Sequence, residues 1–150
     1  DLIVDYYAHS FIDSVFLLSS TGAFLVELAA FIGIMLFLAH LVKGSGALIG
    51  IGIALFIVFD FFWGLLTLGL AAILGAGFGT IAYNQITTVM QFINPAQFVS
   101  LVSVYITGQS TFGLITPSDY GITIPSLVAT AVLWIGVPFG IFLYLATKRD

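Results

Sequence analysis

The 150 residues would suffice for one soluble domain, but 61% are hydrophobic and only 7% charged, with a mean hydropathy of +1.21, where soluble domains carry about a quarter charged residues. Too few charges remain to cover a soluble surface, so residues 1–150 read as a single integral membrane domain. The net charge of −4 includes no basic patch for nucleic acid, and with no cysteine the chain excludes disulfides, thiolate-held iron–sulfur clusters and cysteine zinc sites of its own.

Residue 1 is aspartate, which reads as a start left by a processed leader or by truncation. The first apolar run lacks a small-x-small cleavage pattern and is too long for a signal core, so it is expected to be retained. Residues 1–9 (DLIVDYYAH) mix acids, aromatics and aliphatics, which suits the headgroup zone with Tyr6 and Tyr7 as anchors. Ser10 and Asp13 have capping-box spacing, which predicts a helix from Phe11. It can run to Val42, roughly 48 Å at helical rise and longer than a ~30 Å hydrocarbon core, with Ser19, Ser20, Thr21 and Gly22 marking a place for a bend.

Lys43-Gly44-Ser45-Gly46 reads as a turn, and a second helix is predicted from Ala47 to Leu74, ended by Gly75, Gly77 and Gly79. The two helices are expected to form an antiparallel hairpin. Residues 80–107 are more polar, and Asn94-Pro95-Ala96-Gln97 is a helix restart, with Asn94 as cap and Pro95 at the first helical position. Two short helices fit better than one clean span. After a polar loop from Gly108 to Phe112, Thr116-Pro117-Ser118-Asp119 repeats the capping pattern, and a last helix is predicted from Pro125 to Thr147 with a kink at Pro138.

The fold class expected is all-α, a polytopic transmembrane helical bundle with three spans, or alternatively four, and a short-helix hairpin at residues 80–107. The cations Lys43, Lys148 and Arg149 favour a cytoplasmic carboxy terminus and an amino terminus outside. Two crossings then separate Lys43 from Lys148. The second and last helices supply them, leaving 80–107 as a re-entrant or interfacial hairpin, which is admissible at membrane depth only if packed against protein or water.

Glu27 and Asp60 are candidate functional residues, because each lies inside an apolar run, 16 and 17 residues either side of Lys43. Equal arms place both carboxyls at one depth, about 24 Å from the turn at helical rise. Acids at that depth cost roughly 2.5–3.5 kcal/mol on insertion scales and face protein or water. Glu27 shares a helical face with Ser20, Ala23, Ala30 and Ile34, and Asp60 one with Gly52, Phe56, Gly64 and Thr67, so the acids are expected to meet across the hairpin and share a proton. They would either relay protons or lock the packing of helices. Asn84, Gln85, Gln91, Asn94 and Gln97 could line a polar path. Gly46/Gly50 and Gly136/Gly140 match the small-residue motif of packed membrane helices.

His9 and His40, 31 residues apart, are too distant on one helix to hold a common cofactor and read as interfacial side chains. Trp63, Trp134 and the fifteen phenylalanines read as core or lipid-facing. With no Ser-His-acid grouping, phosphate loop or clustered metal ligands, neither catalytic residues nor a metal site are assigned. No cofactor is expected beyond bound lipid.

These features suggest a non-catalytic integral membrane subunit of a larger assembly, such as an energy-transducing complex, with membrane lipid and other membrane subunits or copies of itself as partners. A proton- or cation-conducting subunit using Glu27 and Asp60 is the alternative. The hairpin of residues 11–74, with its short Lys-containing Gly-Ser turn, also resembles the two-helix hairpin of conjugative pilins. That resemblance covers under half the chain and implies a self-assembling, membrane-derived filament subunit.

Overall fold

The structure, a computed structural model, describes residues 2–108 and 117–148, with side chains from Asp13 onward. The readings placed on Tyr6, Tyr7, His9, most of the 108–112 loop, Thr116 and Arg149 lie outside the described residues and side chains. Every regular element described is helical.

Helix α1 runs unbroken over Leu2–Leu41. It begins nine residues earlier than predicted, so Ser10 is an interior helical residue rather than a cap. Residues 2–9 contain no glycine or proline to end a helix there, and a capping box acts only where the chain enters the helix. The Ser19–Gly22 stretch also stays helical, with the Thr21 hydroxyl donating to the Leu17 carbonyl at 2.8 Å. Gly44, with φ 140°, makes the turn that Lys43 precedes.

The second long helix occupies Ser45–Ile73. It comprises α2 (Ser45–Phe56), a π-helical segment (Ile57–Phe62) and α3 (Trp63–Ile73). Regular α-helical periodicity gives no warning of the π segment, whose i→i+5 bonding lets a carbonyl leave the ladder. Gly75 and Gly79, at φ 70° and 78°, turn the chain out of α3. Thr80 then caps α4 (Ile81–Ile93), accepting from the Tyr83 amide at 3.2 Å. A single 3-10 turn at Pro95–Gln97 separates α4 from α5 (Phe98–Thr107), and the pair is bent by 116°. The two short helices expected within 80–107 are therefore present, joined by a sharp bend.

A 3-10 turn at Pro117–Tyr120 leads to α6 (Ile124–Thr147), whose cap is Thr123. Thr123 and Ser126 bond reciprocally through side chains and amides, the pattern of a capping box. Pro138 is buried inside α6.

Helix directions fix the topology. Met35 meets Gly52, and the rings of Phe31 and Phe59 lie 6.1 Å apart, so α1 and the α2–α3 helix are antiparallel. Ala23 shares the core with Leu127, Gly33 abuts Phe139, and His40 lies 6.3 Å from the Phe142 ring, so α1 and α6 are parallel. α1 packs along α6 over more of its length than along α2. Residues 74–123 must then leave and rejoin the bundle at the same end. The core there is Ala23, Phe98, Leu101, Ile122 and Leu127. The helices Asp13–Leu41, Ser45–Ile73 and Ile124–Thr147 are each long and apolar enough to cross a membrane.

Candidate functional site

The α4–α5 break ends one helix and starts another inside the bundle, leaving carbonyls and amides without helical partners. Each long helix sends a side chain to meet them. The Trp63 indole donates to the Met90 carbonyl at 3.0 Å, and the Trp134 indole to the Phe92 carbonyl at 3.1 Å. The Asn94 amide donates to the Gln91 carbonyl at 3.3 Å. At the start of α5 the Glu27 carboxylate accepts from the Val99 amide at 2.8 Å, with the Phe98 amide also turned toward it. A carboxylate at a helix amino terminus further gains from the helix dipole.

Asn94 joins the break to the π segment. Its side chain is 1% exposed, accepts from the Ala96 amide at 2.9 Å and donates to the Phe59 carbonyl at 2.8 Å. That carbonyl belongs to the wide turn of Ile57–Phe62. The predicted cap at Asn94 thus forms, and its remaining donor answers the irregular backbone of the neighbouring helix.

All of this lies near the middle of the long helices. Glu27 is the central residue of Asp13–Leu41, and Asp60 is one residue past the centre of Ser45–Ile73. The two acids are close enough to interact electrostatically, yet they play different parts. Glu27 is half-buried and bonded to α5, whereas Asp60 is exposed and its carboxyl makes no hydrogen bond within the described residues. No hydrogen bond joins the two carboxyls among the described residues. The predicted Asp60 face also divides: Thr67 is buried and Gly64 faces open space, because the π segment breaks the 3.6-residue period on which that face was drawn.

Among the residues expected to line a polar path, Gln97 borders a groove of about 600 Å³ beside Glu27, together with Ser100, Ser103 and Thr107. Gln91 donates to the Ser100 hydroxyl at 3.3 Å. Asn94 is consumed by the break. Asn84 is buried and Gln85 exposed toward the start of α4, away from the groove. Sequence reasoning passed over Ser100, Ser103 and Thr107, although their spacing from Gln97 by three, three and four residues is a helical face. It also passed over the two tryptophans as donors. Their signal was weak, since an indole N–H that must find a partner when buried looks in sequence like any apolar aromatic.

Gly46, Gly50, Gly136 and Gly140 meet nothing within 4 Å of an added Cβ. The close approaches fall instead at Gly33, where a Cβ would come within 2.9 Å of the Phe139 ring, and at Gly52, 2.9 Å from the Met35 methyl. Among the described residues no three acids or histidines gather as metal ligands. No protein-family model, curated protein or solved structure matches the chain.

Proposed function

We propose that the chain is a non-catalytic integral membrane subunit of a larger multi-subunit assembly, with residues 81–107 forming a re-entrant hairpin whose tip reaches mid-membrane. Three spans surround that tip. Non-helical backbone at such depth requires protein or water around it, and Glu27, Trp63, Trp134 and Asn94 meet that requirement from within the chain. Lys43 and Lys148 follow the ends of the parallel helices α1 and α6 and so share one end of the bundle. That end is assigned to the cytoplasm on the positive-inside tendency.

The observation that carries the assembly reading is Asp60. Its carboxyl is exposed at mid-span, without a hydrogen-bond partner among the described residues, on a helix whose most apolar window has none of its residues buried. Lipid around a carboxylate at that depth is costly, whereas a neighbouring helix bearing a donor would accommodate it. All three cations of this chain lie at sequence positions 43, 148 and 149, outside the spans, so a second copy offers no cation at that level. The partner is therefore assigned as a different chain with a basic intramembrane side chain.

Native mass determination after gentle extraction tests this. A fixed-stoichiometry complex with larger chains is expected, lost in Asp60→Leu while the monomer stays folded. A solitary chain, or a homogeneous filament of this protein alone, would contradict it.

A further inference from the structure

We propose that the groove bordered by Glu27, Gln97, Ser100, Ser103 and Thr107 is a water-filled vestibule that runs from the Thr107 end to the Glu27 carboxyl. The groove is about 600 Å³ and lies between α1 and α5. Its polar residues follow one face of α5 from the break outward, a run of ten residue steps from Gln97 to Thr107. At helical rise that is about 15 Å, half of a ~30 Å hydrocarbon core.

Water is assigned because the lining asks for it. The side chains of Gln97 and Ser103 make no hydrogen bond within the described residues, and the Ser100 hydroxyl is engaged only as the acceptor from Gln91. Polar groups left unpaired in hydrocarbon are costly, and lipid tails cannot satisfy them. Ordered water can, because the site is both polar and roomy.

The vestibule is blind. Past Glu27, toward the Lys43 end, the interior is filled by the Phe31–Phe59 ring pair, Met35 against Gly52 and Gly33 against Phe139. Those contacts among the described residues are all apolar. With Asp60 near enough to act on Glu27 from the neighbouring helix, the vestibule provides hydration and proton access to Glu27 from the Thr107 end rather than a conduit across the membrane.

The inference rests on the re-entrant placement of residues 81–107, and the test separates the two. Because the chain has no cysteine, single-cysteine variants can be made directly and treated with a membrane-impermeant methanethiosulfonate added to the side carrying Ser118. Ser118→Cys is the aqueous reference, and Val89→Cys and Ile93→Cys, both exposed apolar positions on α4, are the lipid references. Only a hydrated thiol forms the reactive thiolate, so Ser100→Cys, Ser103→Cys and Thr107→Cys should react at least about tenfold faster than the lipid references.

Reaction at Ser118→Cys alone would overturn the vestibule and leave the placement standing. Equal reaction at every position would overturn the placement, and the vestibule with it. Correct insertion of each variant is checked by tryptophan fluorescence, because Trp63 and Trp134 both bond to the break.

Discussion

Glu27 acts on the backbone of another helix, and that sets what its replacement should do. In Glu27→Gln the amide oxygen still accepts from the Val99 amide, so the capping bond is kept, and the lost charge–dipole gain is offset by relief of the repulsion from Asp60. Glu27→Leu leaves that amide unpaired and should cost about 1–3 kcal/mol. Thermal unfolding in mild detergent should therefore place the Leu variant below both wild type and the Gln variant. Equal melting of the two variants would remove the capping role. The tryptophans make the complementary prediction. Trp134→Phe keeps most of the ring but strands the Phe92 carbonyl, so it should lose about 1–3 kcal/mol by the same measurement. A melting point unchanged from wild type would show that the indole bond contributes nothing.

Between elements, the decisive contacts are close approaches of helices. Gly33→Val would drive a side chain into the Phe139 ring and Pro138, and overpacking of that kind should destabilise the α1–α6 pair by about 1–3 kcal/mol. Gly136→Ala and Gly140→Ala meet open space, so the isolated chain should gain about 0.5–1 kcal/mol from helix propensity. Any loss should appear only in assembly, read as native mass. The motif spacing that singled out Gly136 and Gly140 carries no information about which face is covered, so it could not distinguish these glycines from Gly33. The Asn94–Pro95 restart was legible because proline and an amide cap act locally. The early start of α1 was not, because a capping signature at Ser10 is silent about whether a helix already precedes it. The π segment was hidden for the opposite reason: its carbonyl partner, Asn94, lies 35 residues along the chain from Phe59.

For the whole molecule, three mid-span side chains secure one break, and the break in turn supplies the donor for the π segment. Composition alone made the membrane-length helices readable. Level along the helices was partly readable too, since counting from Lys43 places Glu27 and Asp60 near the middle of their helices. What counting could not give was direction: Glu27 turned inward to α5, and Asp60 turned out of the chain. Both follow from parallel packing of α1 with α6, which brings the start of α5 against α1 and leaves the α2–α3 helix at the periphery. That packing also requires residues 74 and 123 to lie at the same end of the bundle. Sidedness of labelling in sealed vesicles reads this directly, using Gly77→Cys, Ser118→Cys and Ser45→Cys with an impermeant thiol reagent. The first two should label from one side and the third from the other. Labelling of Gly77→Cys and Ser118→Cys from opposite sides would make residues 81–107 a complete crossing and contradict the re-entrant hairpin.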